Sequence, residues 1–184
     1  MDTGIPDEQL MQLVAQGDLK AFELLVLRHQ KTAWRTAYRL VSDHQAAEDL
    51  TQDAFVKIFE AADRYRPIAA FGTYLYRVVV RVCLDYLRKH RPEPTEYLGT
   101  DLGPAERSLS PDQQAVIAEQ EQRVRVALHR LPAKQRTAVV LRYYEGLRGR
   151  EIADAMAISV KAVERLLARG RKSLETLLTD IFEN

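Results

Sequence analysis

The chain is poor in the residues that fix small or exported folds. It has one cysteine, Cys83, so no internal disulfide can form. That fits a reducing cytoplasm, where disulfide scaffolds are rare. Cys83 sits among apolar residues of a helical pattern and reads as a small buried hydrophobe, not as a nucleophile or metal ligand. No apolar run approaches the roughly 20 residues of a membrane span, and no basic n-region with an apolar core opens the sequence. A phosphate-cradling glycine loop, a metal-ligand cluster and a nucleophile–base motif are all missing. His29, His44, His90 and His129 are scattered and read as structural or solvated. These absences argue against an enzyme, and no cofactor or metal is expected. Excess charge of one sign is missing too: the net charge is +1. Its distribution is uneven, however. Residues 1–90 are neutral, residues 91–120 carry −4 and residues 121–184 carry +5. The basic excess lies in the last third, where a nucleic-acid partner is sought first.

No useful β-alternation or internal repeat is present, and the apolar residues recur at helical spacing. Four of the seven prolines, Pro92, Pro94, Pro104 and Pro111, fall with Gly99 and Gly103 in an acidic stretch without periodicity. This stretch reads as a linker over 91–112. The expected organisation is all-α: a domain over 1–90, the linker, and a domain over 113–184.

The first half predicts four helices. The first covers 7–16 and is stopped by Gly17. Asp18 caps the second, which carries Phe22, Leu25, Val26, His29, Ala33, Ala37 and Leu40 on one side. Ser42 and Gln45 form a capping box for the third, expected to run to about Asp63. The fourth covers about Ala70 to Lys89, after a loop bracketed by Pro67 and Gly72. In the third helix Ala47, Leu50, Ala54, Ile58 and Ala61 make a packing stripe. Phe55, Val56 and Phe59 lie beside it, and Asp49, Gln52, Asp53 and Val56 share a face. That excess is either a wide core face edged by solvated carboxylates or an exposed patch for a protein partner. The next segment interleaves Arg64, Arg66 and Arg77 with Tyr65, Phe71, Tyr74 and Tyr76, and Arg81 continues the basic face. Guanidinium groups track phosphates and rings stack on unpaired bases. The same residues also suit a core with solvated arginines, Asp85 pairing with Arg81.

The last third carries the sharpest motif. Pro132 opens a helix to about Tyr144, ended by Gly146. A helix-turn-helix follows over about Gly149 to Ala168, anchored by Ile152 and Met156, with Ser159 as N-cap of its second helix. In that helix Val163, Leu166, Leu167, Leu174, Leu177, Leu178 and Ile181 form a buried stripe, with Lys161, Arg165, Arg169 and Lys172 opposite. An apolar back with basic donors in front is the layout of a recognition helix, and the helix dipole near Ser159 and Val160 adds attraction for phosphate.

In this order the parts resemble the bacterial sigma-70 family in its minimal extracytoplasmic-function (ECF) form. The match rests on Ala47 to Phe59, on Phe71 to Lys89 and on Leu131-Pro-Ala-Lys-Gln-Arg onward. The resemblance implies a sigma region 2-like four-helix domain and a region 4-like helix-turn-helix domain. It implies a promoter-specificity subunit of RNA polymerase whose Asp49, Gln52, Asp53, Val56 and Phe59 face core polymerase. The loop from Arg64 to Thr73 would capture a flipped minus-10 base. Arg64, Tyr65, Arg66, Phe71, Tyr74, Arg77 and Arg81 would lie at the minus-10 element. Ser159, Lys161, Ala162, Arg165, Arg169 and Lys172 would meet the minus-35 groove. An anti-sigma factor, often membrane-tethered, is the implied further partner. Tyr74 keeps a ring where the family usually has tryptophan, Arg81 stands where asparagine is common, and Glu164 and Leu166 take places often held by basic residues. The minus-35 sequence is therefore not transferable from relatives. A dimeric helix-turn-helix regulator acting without polymerase remains the rival, and an anti-sigma-type adaptor a second.

Overall fold

A computed structural model of the chain describes residues 4–90 and 111–183. Among them run α1 (Asp7–Ala15), α2 (Leu19–Val41), α3 (His44–Glu60), a 3-10 turn (Ala62–Arg64), α4 (Phe71–Lys89), α5 (Pro111–Arg130), α6 (Ala133–Tyr143), α7 (Gly149–Met156) and α8 (Val160–Glu183). No strand occurs among the described residues, and the all-α expectation holds.

The local chemistry that starts and stops these helices is mostly as expected. Gly17, at φ 91, makes the left-handed turn after α1. The Asp18 carboxylate then accepts from the N–H groups of Lys20 and Ala21, closing the first turn of α2. The start of α3 corrects the expected Ser42–Gln45 box. Asp43 is the N-cap, accepting from the Ala46 N–H at 2.6 Å, while Ser42 (φ 55) terminates α2 and Gln45 donates to Asp49. Asp has the same cap chemistry one position later, and Ser42 is already used by the preceding helix. Helix α3 also stops at Glu60, short of Asp63, in a 3-10 turn. The expected linker over 91–112 falls largely on residues 91–110, outside the described ones. Pro111 and Asp112, at the end of that stretch, are already helical and open α5.

Helices α1–α4 enclose a core built from Leu10, Met11, Leu25, Leu40, Ile58, Phe71, Leu75 and Val79. Helices α5, α6 and α8 enclose a second cluster around Leu128, Leu131 and Val139, flanked by Val124, Leu167, Leu174 and Leu177. The α6–α8 crossing is close because Gly170 has no side chain. A Cβ there would stand 2.8 Å from Val139 Cγ2.

The two halves are also docked on one another. Helix α7 packs on α4, and α6 packs on α2. Val140, Leu141, Leu147, Ile152, Ala153, Ala155 and Val163 join the residues of α1–α4 in one continuous buried cluster. The loop after α6 is aimed at this seam. Gly146, at φ 70, lets the Leu147 N–H return to the Leu141 carbonyl at 3.0 Å, and Glu145 is turned toward α2 and α4.

Candidate nucleic-acid and partner-protein surfaces

Three surfaces carry the residues singled out in the sequence. The first is on α3. Gln52 is exposed, and Val56 and Phe59 are 52% and 39% exposed, high values for apolar side chains. Asp53 is held by Lys57 at 2.7 Å, and Asp49 accepts from Gln45. Phe59 rests on Phe22, with ring centroids 5.0 Å apart. Exposed Leu19 and Leu27 on α2 add apolar surface on the neighbouring helix. Phe55 is different from its expectation: it is buried, edge-on to Phe22. The exposed patch is thus acidic and apolar together, the composition of a protein contact rather than a solvated helix face.

The second surface is the segment from Arg64 to Arg81. Arg64, Arg66, Arg77 and Arg81 are exposed. Arg64 lies 3.5 Å from Asp63, and Arg66 donates to the backbone of Asp63 and Tyr65. Tyr65 and Tyr74 are half-buried with centroids 5.1 Å apart. Both hydroxyls are shifted up, chiefly by burial, so both remain protonated donors at neutral pH. Phe71 corrects the expectation of a ring offered to a base. It is 1% exposed, and its ring packs against His29 and the two tyrosines. It anchors the loop from beneath. Tyr76 points away as well, its hydroxyl bound to Glu145 at 2.9 Å. Asp85 pairs with Arg88 at 3.2 Å, not with Arg81, which leaves the Arg81 face open.

Helix α1 braces this loop, a role that no local pattern announces. Ala70 has no side chain able to cap α4, and the Glu8 carboxylate accepts from the Phe71 N–H at 2.9 Å instead. Asp7 receives both Arg28, at 2.9 Å, and His29, at 2.7 Å. Between α1 and the loop opens a cleft of about 390 Å³ lined by Met11, Gln12, Ala15, Gln16, Ala62, Asp63, Tyr65, Arg66 and Pro67. Its lining mixes apolar side chains with amide, carboxylate, guanidinium and phenol groups. Gln12 and Gln16, at i and i+4 on α1, line this cleft, and no sequence pattern singled them out.

The third surface is α8. Lys161, Arg165, Arg169 and Lys172 are all exposed, Ala162 is half-buried, and Val163 behind them is buried. Ser159 caps the helix, accepting from the Ala162 N–H at 3.2 Å. The turn before it uses Ala157 in the left-handed conformation, and Glu151 accepts from the Arg148 N–H at 2.7 Å to start α7. Of the expected buried stripe only Val163 is fully buried; Leu166, Leu167, Leu174, Leu177 and Leu178 are half-buried along the back, and the side chain of Ile181 lies outside the described residues. Among the described residues there is no group of His, Cys, Asp and Glu able to hold a metal, and no helix long and apolar enough to cross a membrane.

A helix-turn-helix with an exposed basic front, an arginine- and tyrosine-lined cleft, and an acidic–apolar helix face define a DNA-reading transcription factor with a protein partner. The sequence comparisons are specific about which kind. The Sigma-70 region 2 family matches residues 25–93, and Sigma-70, region 4 matches residues 121–174. The RNA polymerase sigma-H factor of Pseudomonas aeruginosa is 33% identical over 94% of this chain and 93% of its own. The ECF RNA polymerase sigma-E factor of Escherichia coli is 32% identical over 95% of each. CnrH, solved in complex with the cytosolic domain of CnrY, superposes with a TM-score of 0.70 over 95% of this chain and 97% of its own, at 26% identity. The chain belongs to the sigma-70 family, in its ECF group. It is a sigma factor: its region 2 and region 4 serve core RNA polymerase and promoter DNA.

Proposed function

We propose a division of that work among the three surfaces. Residues 1–90 bind core polymerase through Asp49, Gln52, Asp53, Val56 and Phe59 and open the minus-10 element with Arg64, Tyr65, Arg66, Tyr74, Arg77 and Arg81. Phe71 supports that loop from the core. The C-terminal unit reads the minus-35 groove with Lys161, Ala162, Arg165, Arg169 and Lys172 from a helix started by Ser159. The chain carries out no bond-making chemistry. Opening of the duplex is driven by binding energy given to an extruded base in the cleft beside Tyr65. Two modest DNA contacts joined by a linker gain avidity once polymerase fixes their spacing, which fits a net charge near zero. The setting is the cytoplasm, and an anti-sigma partner holds the chain inactive. CnrH with the cytosolic domain of CnrY is an example of a related chain holding a protein partner.

The observation that carries this reading is the exposure of Val56 and Phe59 beside Asp53, an acidic and apolar face that calls for a protein partner. Run-off transcription with purified core polymerase on pooled genomic promoter fragments tests it. Discrete transcripts are expected with the wild-type chain and none with Asp53→Arg, which reverses charge in the patch. Tight duplex binding without polymerase, together with no transcript, identifies a conventional regulator instead.

A further inference from the structure

The loop between the 3-10 turn and α4 turns an apolar tip to solvent. Ile68 is 93% exposed, the highest value of any large apolar side chain among the described residues. Single exposed apolar residues are ordinary on protein surfaces. This one is held out by the way the loop is built. Its N–H donates to the Arg66 carbonyl at 2.8 Å, closing a three-residue turn centred on Pro67. The proline ring fixes φ at about −65°, close to what such a turn requires. Before the turn, Arg66 Nη1 donates to the Tyr65 carbonyl at 3.1 Å and to the Asp63 carbonyl at 3.4 Å. After it, the Phe71 ring is buried in the core and the Phe71 N–H donates to Glu8 Oε1 at 2.9 Å. The tip is therefore pinned on both sides, and its β-branched side chain has little rotamer freedom of its own.

The surroundings of the tip indicate what it meets. Pro67 lines the cleft beside Tyr65, and Ile68, the next residue, stands outside that lining. Arg64, Arg66, Arg77 and Arg81 are exposed on the same segment, and no acidic residue falls between Asp63 and Asp85. An apolar tip on so basic a segment suits a phosphate-rich partner better than an apolar protein surface. A base drawn out of a duplex leaves a gap in the stack, and DNA-distorting proteins insert apolar side chains, isoleucine among them, at such steps. A cleft that takes the base and a rigid apolar tip beside it are the two parts of that exchange. We propose that Ile68 is a strand-separating wedge: it enters the stack at the step from which the neighbouring cleft draws its base, and keeps the duplex from closing again. The proposal rests on the reading of that cleft as the receiver of an extruded base. Ile68 reads no sequence. It lowers the barrier to opening and acts only where the strands start paired.

The test compares two templates with the holoenzyme of this chain and core polymerase. One is a promoter duplex recovered from the run-off pool; the other is the same fragment with a mismatched bubble across its minus-10 segment. Ile68→Ala is expected to lower the ratio of duplex to bubble transcription on the order of tenfold, the loss of one wedge's contribution to unstacking. Permanganate reactivity of thymines in the duplex is expected to fall with it. Ile68→Leu keeps an apolar side chain of the same size and is expected to restore the ratio. Ile68 is on the surface, so these substitutions leave the core intact. An unchanged ratio overturns the proposal; if both templates lose activity equally, Ile68 contacts polymerase or already open strands instead. The cleft has its own arm. Tyr65→Leu is expected to lower transcription from both templates, because the base is held there in each. Loss on neither overturns the base-receiving cleft, while the Ile68 ratio still decides the wedge, so the two failures are distinguishable.

Discussion

Gly170→Ala is a sharp probe of how the recognition helix is aimed. In an unconstrained helix this change stabilises by about 1 kcal/mol, through backbone entropy. Here the new Cβ would meet Val139 Cγ2 at 2.8 Å, with the Gln135 carbonyl oxygen and Cβ behind it at 3.7 and 3.8 Å. Val139 is buried and β-branched, so its rotamer has little freedom inside α6. Overpacking of this kind costs about 1–3 kcal/mol, so the net effect is a destabilisation of about 1 kcal/mol. In a Val139→Ala background the offending methyl is gone and the remaining neighbours are at ordinary contact distance. There the same substitution stabilises by about 1 kcal/mol, a sign reversal and a coupling of about 2 kcal/mol. Urea unfolding of the four proteins, followed by far-ultraviolet circular dichroism, measures the cycle. Equal stabilisation in both backgrounds would show that α6 and α8 do not cross at Gly170, and would remove the basis for the orientation of Lys161 to Arg169.

Other expectations follow from the seam and the DNA surfaces. Burial first, then the Arg136 and Arg125 charges, press His129 from its ordinary 6.5 down to about 3, and Arg136 itself falls to about 10 through burial. Arg136 donates to His129 Nδ1 at 2.6 Å, so the neutral ring keeps its proton on Nε2 for Ser42. The folded state therefore binds fewer protons than the unfolded one between these limits, and stability present above pH 6.5 is lost as pH falls toward 3. Between pH 6.5 and pH 5 this one group costs about 2 kcal/mol. Urea midpoints of wild type and His129→Gln at both pH values check it, and parallel pH dependences would contradict the assignment. Lys172→Ala is expected to weaken minus-35 binding similarly for all sequences and to lower the log–log salt slope by about 0.9, the signature of one lost phosphate contact. Arg165→Ala is expected to cost about 1–3 kcal/mol and to relax preference at one base pair, read from binding to a panel of single-base variants.

Periodicity made most helices legible, because α2, α4 and α8 each keep a continuous apolar stripe. Helix α5 was not legible: it begins inside the proline-rich acidic stretch, and Gln113, Gln114, Glu119, Gln120, Glu121 and Gln122 interrupt any stripe. Spacing set the basic front of α8 opposite its apolar stripe and grouped Asp49, Gln52, Asp53 and Val56 on one face, but left open whether that face was core edge or exposed patch. It could not separate Phe71 from Tyr74, since a core ring and a stacking ring look alike until the fold places one at 1% exposure and the other half-buried. The bonds of Glu145 to Thr36, Arg39 and Tyr76 were out of reach for a different reason. Its partners lie 69 to 109 residues away in sequence, and no local rule pairs such positions.

The scarcity of tryptophan becomes useful in that light. Trp34 is the only one in the chain, and its indole is stacked on Tyr38, with 5.1 Å between centroids and 7° between planes. Tyr38 in turn holds Arg125 of the C-terminal unit through its hydroxyl, and Arg125 also lies over its ring at 5.8 Å. Separation of the two halves removes a cation from the partner ring of the sole indole. The sole indole therefore sits one ring away from a contact between the two units, and its intrinsic emission reads whether that contact is made.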